Sequence, residues 1–217
     1  MIQLQVIELS KTFQRRKVFE NISFSLRDCD SLVITGPNGS GKTTLLRLLC
    51  GFIRPTSGQI IYSEQGHNLS WRQVRQRLGW VAAELVLYEE LTAIENLNFF
   101  AKVRGLSHTT ADSKRLLSMM ALERCGNDPV ASYSAGMKQR LKFAFALLPE
   151  PEILLLDEPS SNLDEEGRRL LDSIIEQQKQ RGLLLVATND PREVHYGETL
   201  LQLGAGDVSN NEQRFTF

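Results

Sequence analysis

The segment Gly36-Pro-Asn-Gly-Ser-Gly-Lys-Thr43 limits most strongly what this chain can fold into. It satisfies G-x-x-x-x-G-K-[ST] at each fixed position. It lies between an apolar run, Ser31–Thr35, and a stretch of helical apolar spacing, 42–50, that stops at Gly51. Strand, glycine loop and helix in that order form a phosphate cradle, or P-loop. Backbone N–H groups converge on phosphate oxygens, glycines let the chain turn and approach, and the helix adds its positive N-terminal end. Gly36, Pro37, Asn38, Gly39, Ser40, Gly41, Lys42, Thr43 and Thr44 are the expected nucleotide-binding residues. Lys42 supplies a charge to the β- and γ-phosphates and a catalytic contact, and Thr43 a hydroxyl for Mg²⁺. A chance glycine-rich turn before an ordinary helix would not bring this flanking pattern with it.

A second apolar run, Ile153-Leu-Leu-Leu, ends in Asp157 and Glu158. In an open α/β sheet, ligands gather at the carboxyl ends of strands. There Asp157 is a candidate metal ligand. Glu158 is a candidate catalytic base or water-positioning group facing a γ-phosphate. Two solvated acids after a strand would be unremarkable alone; with a P-loop in the same chain they read as chemistry.

The rest of the chain alternates. Strands are expected over 2–9, 18–26, 59–62, 152–156, 183–187 and 200–203, with a basic turn at 14–17. Helices are expected over Ala93–Val103, 110–121, 134–148 and 165–180. The fold class expected is α/β: a P-loop NTPase core with an N-terminal antiparallel β layer and an α-helical subdomain insertion. The boundaries expected are one domain over 1–217, with 1–84 and 149–217 as the core and 85–148 as the helical subdomain. The net charge of −1 disfavours nucleic acid as a partner. Cys29, Cys50 and Cys125 form no CxxC pair, which disfavours zinc and disulfides. No apolar stretch reaches the roughly 18 residues of a membrane span, and no signal peptide is evident at the N-terminus.

Taken together, the chain resembles the ATP-binding subunits of ABC transporters, and the resemblance covers essentially its whole length. It rests on GPNGSGKTT, then Tyr133-Ser-Ala-Gly-Met137 followed by KQR, then ILLLDEP, then Ser161-Asn-Leu-Asp164. The Tyr133-to-Met137 stretch is similar to the family's LSGGQ signature; Ala135 and Met137 replace a glycine and the terminal glutamine. The resemblance implies two cassettes sandwiching two ATP molecules. Ser134, Ala135 and Gly136 would then meet the ATP held by the partner's P-loop, at a helix start that offers a hydroxyl and free N–H groups. Asp164 would link the two sites. Phe13 would stack on adenine, against the plain alternative of a core phenylalanine. ATP and Mg²⁺ are the implied cofactors, and a second cassette and an integral membrane permease the implied partners. The implied location is cytoplasmic, peripheral on the inner face of the cell membrane. The stretch LYEELTAIENLNFFAKVRGL further resembles exporter cassettes, including the short haem-export ATPases of cytochrome c maturation.

Two positions depart from the family. Where it usually has a glutamine, after the strand entering the helical insertion, this chain has Ala83. Where it usually has a histidine, at the switch position after the late buried strand, this chain has Asn189. His195 lies six residues further on and does not inherit the role. Alanine cannot hold a metal or a water; asparagine offers a neutral hydrogen bond only. These substitutions imply slow basal turnover. They also leave open an alternative: a nucleotide-sensing module, or the degenerate half of an asymmetric pair, with little hydrolysis.

Overall fold

The computed structural model describes residues 2–14, 16–82 and 84–204, and the backbone of the strand Gln213–Arg214. Strand β1 (Ile2–Phe13) pairs antiparallel with β2 (Arg16–Leu26). Strand β3 (Ser31–Thr35) then runs through the glycine loop into helix α1 (Lys42–Leu49). Strand β4 (Ser57–Glu64) returns to the other edge of β1, and the two-residue β5 (His67–Asn68) closes an antiparallel sheet of order β2-β1-β4-β5. Helix α2 (Trp71–Gln76) leads into β6 (Leu78–Val81). Three helices follow: α3 (Ala93–Val103), α4 (Thr110–Met119) and α5 (Ala135–Leu147). Then come β7 (Ile153–Asp157), α6 (Glu165–Lys179), β8 (Leu183–Thr188), β9 (Thr199–Gln202) and β10 (Gln213–Arg214). The second sheet has the order β10-β9-β3-β8-β7-β6 and is parallel except for β10.

Strands β7 and β8 are buried along their whole length and β3 along all but its last residue, as expected for parallel strands covered on both faces. Their side chains alternate between two separate apolar clusters. Val33, Leu154, Leu156, Leu184 and Val186 face one, with α5, α6 and the helices of residues 85–148. Leu32, Ile34, Ile153, Leu155, Leu183 and Leu185 face the other, with β1, β2 and α1. The helical stretch therefore has no core of its own. Its Leu97, Leu117 and Leu141 share a cluster with the sheet. Arg104 ties it further, its guanidinium donating to the carbonyls of Arg75 at 2.7 Å and Leu78 at 2.9 Å.

Several boundaries move from the sequence expectation. β1 continues four residues past position 9, through polar Ser10, Lys11 and Thr12 to exposed Phe13, because the ladder needs only backbone groups there. Register shifts absorb the irregularity. α2 was not anticipated, although Ser70 and Gln73 form a capping box at its start.

Asn96 fixes the approach to α3. It is fully buried; its amide donates to the carbonyls of Tyr88, Leu91 and Thr92, and its Oδ1 accepts from the Tyr88 N–H at 3.0 Å. Asn96→Ala leaves those loop groups without partners and should cost about 2–4 kcal/mol, read as a lower urea midpoint with an unchanged slope.

At the glycine loop, Gly39 and Gly41 both hold positive φ, +80° and +103°. Around Gly39 there is open space, whereas a Cβ at Gly41 would fall 2.5 Å from Val18 Cγ1 of β2. The antiparallel layer thus packs directly on the loop. Gly39→Ala should cost about 1 kcal/mol of backbone strain, and Gly41→Ala roughly 2 kcal/mol more through the clash; similar denaturation midpoints for the two variants would show that this packing is not tight.

Candidate nucleotide site

The loop after β3 opens into a cleft of about 440 Å³. Its floor is Asn38, Gly39, Gly41, Lys42, Thr43 and Thr44. Gly41 caps α1 with backbone only, so no side chain occupies the first-turn N–H groups of that helix. Arg16, Lys17 and Val18 of β2 supply one wall, and Glu158 closes the end. Sequence reasoning noted the basic turn at 14–17 but did not place it at the site; the strand alternation gave no sign of which loop it would face.

Lys42 is buried, its ammonium folded back on the loop. It donates to the carbonyls of Gly36 at 2.8 Å and Pro37 at 3.4 Å, and lies 3.4 Å from Glu158 Oε1. Glu158 steps off the end of β7 with φ of +47°, a left-handed conformation that costs a non-glycine residue energy and recurs at functional sites. Its N–H donates to the Ala187 carbonyl at 2.8 Å, which ties the turn to β8. Its Oε2 accepts from the Asn189 N–H at 3.2 Å, and the Asn189 amide in turn donates to Asn38 Oδ1 at 2.9 Å. Asn189 thus bridges the turn after β8, the acidic strand end and the P-loop, its bond to Asn38 spanning 151 residues.

Asp157, one residue earlier, is 3% exposed. Burial pushes its carboxyl pKa up. The Thr43 hydroxyl bonded to it pulls the other way, neighbouring Glu158 adds to the rise, and Lys42 and Arg47 oppose it. One of its oxygens, Oδ1, is buried with no hydrogen-bond partner. Among the described residues, no group of three or more His, Cys, Asp or Glu side chains converges on a metal position. Ser40 also turns inward, with Oγ buried and unpartnered.

The remaining expected residues do not line the cleft. Phe13 is 45% exposed, outside both clusters, with the Lys11 ammonium 4.6 Å from its ring centroid. Ser134 caps α5 by accepting from the Met137 N–H at 3.2 Å, and it and Ala135 are exposed. Gly136 lies against the loop after β7; a Cβ there would meet the Asn162 carbonyl at 2.9 Å. Asp164 caps α6, accepting from the Gly167 N–H at 2.8 Å. His195 is exposed and rests on Tyr196, ring centroids 4.3 Å apart. Ala83 falls outside the described residues.

Comparison with known proteins places this architecture. Residues 19–161 match the ABC transporter family. The chain is 32% identical over 197 residues to the linearmycin resistance ATP-binding protein LnrL of Bacillus subtilis, which aligns over 90% of this chain and 62% of that one. The chain therefore spans less than two thirds of that relative. A solved ATP-binding subunit of an ABC transporter superposes with a TM-score of 0.80 at 31% identity, covering 94% of this chain and 86% of that one. The dimeric cassette MJ0796, in a post-hydrolysis state bound to ADP and Pi, shares the fold with a TM-score of 0.84 at 24% identity, over 97% and 98% of the two chains. The matched stretch begins within β2, holds the P-loop floor of the cleft and Glu158 at its end, and leaves out only the wall of Arg16, Lys17 and Val18; the chain belongs to the ABC transporter family as one of its ATP-binding subunits.

Proposed function

We propose that this subunit hydrolyses ATP with Mg²⁺, as one of a pair of cassettes, to drive an integral membrane permease. The observation that carries the reading is the placement of Glu158. Its carboxylate stands at the end of the P-loop cleft between the Lys42 ammonium and the Asn189 N–H, one residue after buried Asp157.

From that position Glu158 can orient a water and accept its proton as the water oxygen bonds to the γ-phosphorus and the bridging P–O bond breaks toward ADP. Lys42 exchanges its loop carbonyls and Glu158 for phosphate oxygens, a stronger charge-assisted contact. The donor set suits a hard dication. Asp157 carries an unpartnered buried oxygen next to the Thr43 hydroxyl, and a magnesium site normally takes few protein ligands beside water and phosphate. Asp157 and Thr43 would hold Mg²⁺, which neutralises phosphate charge when bound. The intact Glu158 weighs against the alternative of a sensing module without hydrolysis.

The partner assignments rest on surfaces. Ser134, Ala135 and Asp164 are exposed and do not line this chain's own cleft, which supports their use on the nucleotide of a second cassette. Among the described residues no helix is long and apolar enough to cross a membrane. A groove of about 620 Å³ between the sheet and the helical stretch, with Phe52, Trp80, Phe100 and Phe145 inside it and Arg72 and Arg75 beside them, supports docking of a permease on the cytoplasmic side. We assign residues 85–148 as a helical subdomain serving that contact within one 217-residue domain.

Glu158→Gln should abolish steady-state ATP hydrolysis while leaving ATP binding in place, and should accumulate an ATP-bound dimer on size exclusion; turnover equal to wild type would remove Glu158 from the mechanism. Asn189 offers a developing phosphate charge no cation. Asn189→His should therefore raise the low basal rate by roughly tenfold or more, the scale of one well-placed donor. A wild-type rate already matching ordinary cassettes without any permease would contradict this account of Asn189.

A further inference from the structure

We propose that Arg16 is a nucleotide-contacting residue whose guanidinium binds the α-phosphate of the nucleotide in the P-loop cleft. The inference rests on the ATP-binding reading above and extends it to the wall opposite the loop.

The starting point is a charge imbalance. The chain is close to neutral, with 25 Lys and Arg against 26 Asp and Glu, yet three cations stand in a row at Arg15, Arg16 and Lys17. Such a run is ordinarily a solvated face. Here Arg16 and Lys17 line the same cleft as Lys42, Thr43 and Thr44. The cations of the cleft are not equivalent. The Lys42 ammonium is engaged by Glu158 and by loop carbonyls. Lys17 is paired with Glu20 at 2.7 Å. Among the described residues no carboxylate engages Arg16. It is the cation at the cleft that a ligand can recruit without breaking an existing ion pair.

The hairpin holds Arg16 in register with the loop. Two residues downstream, Val18 packs on the loop backbone so closely that Gly41 admits no Cβ. Across the hairpin, Arg16 pairs directly with Phe13, the exposed aromatic that the family resemblance offers to adenine. A nucleotide with its β- and γ-phosphates on the loop and its base against Phe13 would run along the wall that Arg16 lines. The group it presents there is the α-phosphate. A guanidinium suits it, because its planar fork matches two phosphate oxygens and stays charged at any working pH.

The α-phosphate is common to ATP and ADP, so both should respond alike. Titration calorimetry of the purified chain with ATP and with ADP compares wild type, Arg16→Ala and Arg16→Lys. Arg16→Ala should weaken both nucleotides by the same factor, about tenfold for one lost charge-assisted contact. Arg16→Lys should recover part of that loss, since it restores the charge without the fork. Arg16 is exposed and outside both apolar clusters, so the thermal midpoint of Arg16→Ala should stay at the wild-type value. Affinities within twofold of wild type for both nucleotides overturn the inference, and so does a loss confined to ATP, which would place the contact on the γ-phosphate. A wild-type chain that binds neither nucleotide overturns instead the functional reading beneath it.

Discussion

The site depends on the parallel register of three neighbouring strands. Thr35 of β3 pairs with Thr188 of β8, and Ala187 of β8 pairs with Asp157 of β7. Because these pairs stand at one level, the chain leaves the sheet at Gly36, Asn189 and Glu158 along a single edge. That shared exit brings the P-loop, the switch position and the acidic strand end within hydrogen-bonding distance, although they lie far apart in sequence. A slip of one residue between β7 and β8 would turn Asp157 to the other face of the sheet, and a slip in either pairing would shift Glu158 against Lys42. The apolar residues buried on both faces of these strands hold the register, so the packing that stabilises the domain also sets the geometry of the chemistry.

Much of this was legible in the sequence, and for a physical reason. Strands covered on both faces are largely apolar along their length, and SLVIT, EILLL and LLLVA read that way, within one residue of the observed strands. The P-loop demands glycines at fixed steps, so it too is written locally. What the sequence did not reveal is nonlocal. The hydrogen bond from Asn189 to Asn38 joins residues whose proximity exists only once β3 and β8 pair. The position of Arg16 beside the loop depends on how one sheet packs on another, and no periodicity encodes that. The two-residue β5 and six-residue α2 escaped notice because neither is long enough to repeat its period. Phe13, read as either an adenine platform or a core residue, proves to lie outside the core.

The charges of the cleft are held by one another and by the backbone. Lys42 and Glu158 lie 3.4 Å apart, and loop carbonyls accept from the lysine's ammonium. The left-handed backbone at Glu158 is held by the bond to Ala187, so the carboxylate does not need to be moved into place by a large rearrangement. Asn189 adds a neutral tether on both Glu158 and Asn38, in a position where a titratable side chain would have made the arrangement sensitive to pH.

The division of the interior into two apolar clusters, one on each face of the parallel sheet, has a mechanical meaning. The cluster behind the P-loop is shared with the antiparallel layer and α1, and the cluster on the opposite face with the helical stretch. Helices α3 to α5 and the layer gripping Gly41 therefore pack on opposite faces of one sheet. The sheet works as a bulkhead between two interiors, and Glu158 and Asn189 stand at its rim, where their contacts join the strand ends to the phosphate cradle.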